Sequence, residues 1–575
     1  MRSIVPPLRP QDAVAPRNIA TSRKARRATA KKPAAASTPQ TQTSNRRASS
    51  PVSSGPAKRP AAASTPQTSN RRASSPVSTG PTSYDEAMDD WAAAGVSALQ
   101  RLHPDCHRSL RRLFTDGIDL TTHYSGTGTA EAAVAALASL MAPRIETQSS
   151  PVSCHSACDI SPVCQEVLSN HPAASRPHHR FSDLCERPNA DVMKRLRATL
   201  KGFQKKAGLI RGGLRTPSPS KVQLESDNWV SAAMQMLSEW TPSRDSLTDC
   251  LRHGRSCKTY PPRVARRHHL EVSGINCQPW SQAGMRWGWL DERSIPCLIL
   301  ARIIMAIKPD FVCIECTPRF DFRELQSLLQ PTDRGGFAIT CPRDFGLPVD
   351  RKRMYMWFDN CSVVSSAMFP MADLSVVMKR TQELTLDVFL RASPAEVQQY
   401  YHQLLAVNRR RRSCGRRRLR LDDVLSAGNV SRLRKYREMV ATLPDASCYV
   451  VDVHKSPDWG AKPRSSQIPT LLRSSILVAL RAPPEEDRLL LPSELPALHG
   501  LKLSPDLVSR LPAADVRSLV GNSMHMVQVG LFVQFALSTR RLRSHVSVLP
   551  AGASSPGEVL PPIAGDDHAI DIDSA

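Results

Sequence analysis

Nowhere in the 575 residues is there a run of about 18 apolar side chains, the length that crosses a bilayer, so no membrane-spanning segment is expected. Acids are scarce: 52 Asp and Glu stand against 77 Lys and Arg, a formal net charge of +25. The deficit is steepest at the start, where Asp12 is the only acid before Asp85. A disulfide framework is missing as well. Fifteen cysteines, an odd number without regular spacing, point to a reducing compartment rather than a stapled secreted domain. A chain this basic selects a polyanionic partner, nucleic acid ahead of a membrane surface, although charge alone does not choose DNA over RNA. Length suggests about two to four domains.

The first 83 residues hold too few apolar side chains to offset the entropy of ordering, and read as a disordered basic tail. Two near-duplicate repeats lie in it, Lys32–Pro56 and Arg59–Pro81, each carrying RRAS followed by Ser-Pro, a phosphorylation cassette that would remove positive charge. Arg23–Lys32 (RKARRATAKK) suits nuclear import or nucleic-acid contact, and a nuclear location is expected. An Arg- and Ser-rich, acid-poor start also fits an organellar transit peptide, the weaker alternative.

Folded sequence starts near Tyr84, with a helix expected over Ala87–Leu102. Leu120–Glu131 (LTTHYSGTGTAE) reads as strand, glycine turn and helix, a layout that brings backbone N–H groups up to a nucleotide-like ligand, though it also serves a plain tight turn. A second strand ends at Asp159, with Ser161-Pro162 opening a helix; a carboxylate there is placed for ribose hydroxyls, or for capping. A third short strand precedes Asp183. Residues 196–265 look irregular around RTPSPSK and read as a surface insertion. Cys250, His253 and Cys257 lie in it, but no fourth ligand stands at a recognised spacing, so they read as loop residues and no metal is expected.

The centre of the chain is Gly274–Gly284 (GINCQPWSQAG), which sets Cys277 on a turn after the apolar-containing run His269–Ser273. A thiol on a loop at a strand end is where an open α/β sheet presents nucleophiles. Pro296–Ile307 is an apolar helix, and Phe311–Glu315 a buried strand closing on an acid that needs a proton or a partner. Arg351 and Arg353, two apart at the start of a strand, are expected on one face, able to clamp a phosphate or carboxylate. Arg409–Arg420 has eight arginines in twelve positions, a stripe suited to phosphates. Near the end, Gly521-Asn522-Ser523 is expected to start a helix with Asn or Ser as cap.

Taken in order, these stretches resemble the cytosine-C5 DNA methyltransferases, which use S-adenosyl-L-methionine. YSGTG at 124–128 is similar to the family's glycine motif, NCQPWSQAG to its Pro-Cys-Gln loop, Glu315-Cys316-Thr317 to Glu-Asn-Val, and FGLPVDRKRMYMW to the Gln-x-Arg-x-Arg strand. SELPALHG and VGNSMHMVQVG resemble the last two motifs. Asn276, Cys316, Thr317, Val349 and Tyr124 depart from the family's Pro, Asn, Val, Gln and Phe.

The resemblance implies a Rossmann-like, doubly wound α/β sheet with a smaller target-recognition domain. The expected boundaries are 1–83 (tail), 84–358 (catalytic domain, insertion about 196–265), 359–487 (target recognition), 488–545 (catalytic domain, continued) and 546–575 (disordered tail). It implies Cys277, Glu315, Arg351 and Arg353 as catalytic residues. It implies a cofactor held by Tyr124, Ser125, Gly126, Gly128, Asp159, Ile160, Asp183, Leu184, Asn522 and Ser523. The expected activity is methyl transfer to C5 of a flipped-out cytosine in DNA through a covalent Cys277–C6 intermediate. An RNA substrate, or a nucleic-acid-binding relative without turnover, stays open.

Overall fold

In the computed structural model the described residues are 84–543, apart from 142–149, 211–217, 283, 331–332, 381–383, 408–417, 444–447, 459–461, 466 and 483–484. Both expected tails, with their repeats and the basic run Arg23–Lys32, lie outside the described residues, as does most of the arginine stripe.

Helices α1 (Tyr84–Leu102) and α2 (Pro104–Asp116) lead into β1 (Ile118–His123), α3 (Thr129–Met141), β2 (Val152–Cys158), α4 (Pro162–Ser169) and β3 (His179–Phe181). Then come α5 (Ala190–Ala207), α6 (Pro219–Ser238), a hairpin of β4 (Leu247–Cys250) and β5 (Arg255–Lys258), and β6 (His268–Gly274). The domain continues through α7 (Ile295–Ile307), β7 (Phe311–Cys316), α8 (Phe322–Leu329), β8 (Asp333–Thr340) and β9 (Arg353–Asn360). Seven strands form one sheet in the order β3-β2-β1-β6-β7-β9-β8. The pairs from β3 across to β7 are parallel, and β9 alone runs against its neighbours. The expected doubly wound α/β fold is present.

Alternation along the strands shows that both faces are covered. In β7, Phe311 and Cys313 belong to one buried cluster with Trp91, Leu110 and Val134, while Val312 and Ile314 belong to another with Leu298 and Ile303. In β9, Tyr355 and Trp357 join the first, and Met354, Met356 and Phe358 the second. A sheet buried on both faces has near-continuous apolar strands, which is why FVCIE is legible as one. Helix Met526–Ser538 packs into the first face beside α1, α2 and α3.

Residues 196–265 differ from expectation. The described ones hold two helices and a hairpin, and they are not confined to the surface. Asn189 caps α5 by accepting from Val192 N at 2.8 Å, and Gly208, at φ 82°, closes its C-terminus. Leu196 and Leu200 of α5 meet Trp229, Val230, Ala233 and Leu237 of α6 within the second core cluster.

Beyond β9 the chain does not leave the main core at once. β10 (Val364–Ala367) pairs with β14 (Arg540–Leu542), and Met371, Leu374, Phe389 and Leu390 stay in the first cluster. A separate core then gathers Tyr401, Leu433, Val451 and Leu480 around the antiparallel strands β11 (Cys448–Asp452), β12 (Leu477–Arg481) and β13 (Arg488–Leu489). Among the described residues, no helix is long and apolar enough to cross a membrane.

Trp229 is fully buried. Truncating it is expected to cost about 3–5 kcal/mol. Urea unfolding of Trp229→Ala measures this, and a loss under about 1 kcal/mol would return α6 to the surface.

Candidate active site

In an open sheet, ligands gather beyond the carboxyl ends of the strands, where strand order reverses. Here that point lies between β1, which continues to β2 and β3, and β6, which continues to β7 and β9. The expected site residues divide along this line.

On the first side, the loop after β1 turns through Tyr124, Gly126 and Gly128 at φ 53°, 57° and 72°. Glycine takes this region without strain, whereas Tyr124 must be held there. What holds it is the end of β2. Ser125 N donates to Cys158 O, and Cys158 N donates back to Ser125 Oγ, both at 3.0 Å. Asp159 completes the latch. Its Oδ2 accepts from Gly126 N and its Oδ1 from Ser161 N, each at 2.8 Å. Burial pushes the Asp159 carboxyl up, and these two N–H groups pull it back.

A side chain at Gly128 would strike the His171 ring, whose Nε2 donates to Thr127 O at 2.8 Å. At Gly126 the nearest neighbour would be Tyr124 O at 3.9 Å, so that face of the loop is open. Beside it Ile160 is 70% exposed, an unusual place for a large apolar side chain. After β3, Asp183 Oδ1 accepts from Cys185 N at 2.9 Å and caps a short turn, and Leu184 is buried.

On the second side, β6 feeds the cysteine loop. Ile275 N donates to Glu315 O at 3.1 Å, which keeps the loop against the end of β7. Asn276 Oδ1 accepts from Gln278 N at 3.0 Å, a side-chain turn closing around Cys277. Trp280 N and Ser281 N donate to Cys277 O at 3.1 and 2.9 Å. Trp280 is clasped edge-on by Trp289 and Phe320, and Arg293 donates to Gln278 Oε1.

Cys277 is half-buried. Burial raises its thiol above the ordinary value of 9.0, Arg353 and Arg351 pull it down, and Glu315 pushes it up. The resting group is therefore a thiol, held beside two cations and one anion.

Arg351 and Arg353 were expected on one face of a strand. Arg353 opens β9, but Arg351 precedes it, and the two guanidiniums diverge. Arg353 Nε lies 2.9 Å from Glu315 Oε1, an ion pair whose N–H is not aligned for a hydrogen bond. Arg351 is 2% exposed and turns to backbone oxygens: Ser523 O at 2.6 Å, Leu471 O at 3.4 Å and Gly521 O at 3.5 Å. Burial and Arg353 bring Arg351 down to about 10.

Gly521-Asn522-Ser523 ends a helix, Ala513–Asn522, where it was expected to start one. Ser523 Oγ bonds back to Leu519 O at 2.6 Å, and the next helix starts only at Met526. Asn522 is exposed, whereas buried Ser523 shares a 2.8 Å hydrogen bond with Thr127 of the glycine loop. Thr127, His171, and the buried pair His499 and His525 behind Arg351 were not foreseen. The two histidines face each other at 5.8 Å, and burial together with Arg351 holds both neutral, His525 down to about 3. Thr127 lies within YSGTG, His499 within SELPALHG and His525 within VGNSMHMVQVG, motifs already visible; nothing local marks His171.

No family model matches the chain. It is similar to the Type II methyltransferase M.NlaX of Neisseria lactamica, 32% identical over 97 residues, or 16% of this chain and 31% of that protein. It is also similar to the Type II methyltransferase M1.ScrFI of Lactococcus lactis subsp. cremoris, 32% identical over 113 residues, 18% of this chain and 29% of that one. The chain thus spans about a third of the length of these curated relatives. Among solved structures, the S. pombe Dnmt2 methyltransferase aligns with a TM-score of 0.40 at 16% identity, over 73% of this chain and 98% of that one. The Entamoeba histolytica methyltransferase EhMeth aligns at 0.37 and 14%, over 73% and 98%.

Alkylation of Cys277, followed on its own peptide by mass spectrometry, is expected to rise about tenfold per pH unit between about pH 7 and pH 9, without a plateau. Arg353→Ala removes the stronger of the two lowering charges and should move the curve to higher pH; Glu315→Gln should move it lower. A plateau below about pH 8 in the unaltered protein would contradict the buried-thiol assignment.

Proposed function

We propose that this chain, a divergent relative of the cytosine-C5 methyltransferases, transfers a methyl group from S-adenosyl-L-methionine to C5 of cytosine in DNA. The observation that carries the reading is the meeting of Cys277, Glu315 and Arg353 on three neighbouring strand ends, one strand away from an open glycine loop.

The first half of the site fits the cofactor. Gly126 leaves space for close backbone approach, and each Asp159 oxygen takes one backbone N–H and keeps a lone pair for ribose hydroxyls. Exposed Ile160 offers an apolar face of the kind an adenine covers. Asp183, Leu184, Tyr124 and Ser125 complete the wall, and Ser523 joins it through Thr127. When bound, S-adenosyl-L-methionine supplies a methyl group activated by its sulfonium charge.

The second half handles the base. Its target must leave the stack, because C6 is out of reach inside a duplex. Cys277 gives up its proton to solvent, and its sulfur adds to C6, moving the ring's electron pair onto C5, which accepts the methyl group. A proton taken from solvent and held between the Glu315 carboxylate and N3 keeps negative charge from building on the ring, and it returns to solvent when the ring is restored. Loss of the C5 proton to solvent and expulsion of the Cys277 thiolate restore the double bond. Arg353 orients Glu315, while Arg351, tied to three carbonyls, positions the segments behind the site. The net charge of +25 supports a DNA partner, and a nuclear location belongs to the same reading on the basic run Arg23–Lys32.

A trapping experiment tests the proposal. With S-adenosyl-L-methionine and an oligonucleotide carrying 5-fluorocytosine, the fluorine blocks the last elimination, and a denaturation-resistant adduct is expected on DNA and absent in Cys277→Ser. An adduct on RNA alone would replace the substrate, and none on either, despite binding, would remove the activity. Asn276→Ala deletes the side-chain turn but leaves the thiol. It is expected to slow turnover about fivefold to tenfold, measured as single-turnover rate on the same DNA.

A further inference from the structure

Outside this site, four side chains converge that the reaction does not use. His179, Cys250, His253 and Cys257 each turn one ligand atom inward, and all four atoms lie within 4.8 Å of one another. Cys250 Sγ is 3.5 Å from His253 Nδ1 and 3.9 Å from His179 Nδ1, and Cys257 Sγ is 3.4 Å from His253 Nδ1. Around a tetrahedral ion with Zn–S of about 2.3 Å and Zn–N of about 2.0 Å, neighbouring ligand atoms stand about 3.3–3.8 Å apart. The closer pairs already meet that spacing, and the widest needs about 1 Å of closure. We propose that these residues bind one structural zinc ion, joining the β4–β5 hairpin to strand β3.

Three further observations support the site. Both cysteines are free and buried, so neither is committed to a disulfide. Arg180 N points at Cys250 Sγ from 3.5 Å, the backbone N–H contact that steadies a metal-bound thiolate, and Leu251 N donates to Arg180 O at 2.8 Å. Finally, the hairpin has little apolar support. Its strands are four residues long and mostly exposed, Leu247 and Leu251 are 63% and 50% exposed, and two strands alone are marginal in water. A metal bond can supply the missing stability. Two thiolates and two imidazoles with Zn²⁺ make a neutral centre, and soft sulfur with nitrogen in a tetrahedron selects zinc over calcium or magnesium.

Along the sequence the cluster lacks a fourth ligand. The spacing Cys250-x2-His253-x3-Cys257 holds three, and the fourth comes from His179, which begins β3. Since β3 runs on to Asp183, the ion would fix the outer edge of the cofactor-side wall. The site stands on its own geometry and does not require the proposed methyl transfer.

Full-length protein purified in reducing, chelator-free buffer is expected to carry about one zinc per chain by elemental mass spectrometry. Cys257→Ser and His253→Ala should bring zinc to background. Cobalt(II) exchanged into the unaltered protein should show the strong visible absorption of a tetrahedral centre together with a sulfur-to-cobalt charge-transfer band. Because His253 is exposed, His253→Ala opens no core, and its melting temperature should match that of the chelated wild type. Zinc below about 0.2 per chain with no uptake on titration, a weak octahedral cobalt spectrum, or a Cys250–Cys257 disulfide in peptide maps would each overturn the proposal. Another transition metal at full occupancy would overturn its assignment as zinc.

Discussion

A buried carboxylate holds the middle of the sheet in register. Glu271, on β6, is 1% exposed and stands directly opposite Thr121 on β1. It accepts from the Thr121 hydroxyl, from His123 Nδ1 at 2.6 Å and from Ser273 Oγ at 2.7 Å. The donors around it decide the protonation states. Arg187 can only donate, so His123 Nε2, 2.8 Å away, accepts, and the imidazole is neutral with its proton on Nδ1. Thr121 spends its single proton on Glu271 and therefore accepts from His269 Nε2 at 2.8 Å. His269 Nδ1 in turn accepts from Arg244 at 3.3 Å. Burial lowers both histidines, in agreement with this wiring. A slip of one residue between β1 and β6 would turn these groups to opposite faces and leave a charge buried without donors, which is far costlier than losing one hydrogen bond.

That constraint sits where the strand order reverses, and both loops of the candidate site leave from it. Tyr124 follows His123 directly, and Cys277 comes four residues after Ser273. The distance between the glycine loop and the cysteine loop is thus set by β1–β6 pairing, not by either loop. Each loop is then tied to its outer neighbour, the first to β2 through Ser125 and Asp159, the second to β7 through Ile275. Loops held at both ends position their side chains with little freedom, as a site that aligns two reactants requires.

What was legible in the sequence follows from range. Strand, turn and helix at 118–141 show within one short stretch, because glycines at positive φ and an Ala-rich helix leave local marks. Glu315 was legible because an acid closing an apolar strand is expensive without a partner, and Arg353 is that partner. Where the outcome depended on distant contacts, the reading failed. The turn-rich RTPSPSK hid two helices whose burial rests on each other. Arg351 looked like the twin of Arg353, yet its partners are backbone oxygens 120 to 172 residues further on. Asn522 and Ser523 carry the composition of a helix start, and only packing of Ala513–Val520 shows they are an end.

Three of the departures from the family pattern make local contacts of their own. A proline before the cysteine would restrain the loop through a fixed φ; Asn276 restrains it through a side-chain acceptor instead, reaching the N–H of Gln278. Thr317 similarly uses its hydroxyl, accepting from Arg319 N at 3.2 Å just after Glu315. Val349 is fully buried and pairs as an isolated bridge with Ile468, beside the Asp350 N to Ile468 O bond of 2.8 Å. With Arg351 holding Leu471 O, four consecutive residues, 348 to 351, grip the strap that leads into β12. A polar side chain at 349 would have to be desolvated there, so the apolar replacement suits the contact it makes. In each case the residue present makes its own local contact at the turn or junction, and the atoms of Cys277, Glu315 and Arg353 are grouped at the strand ends.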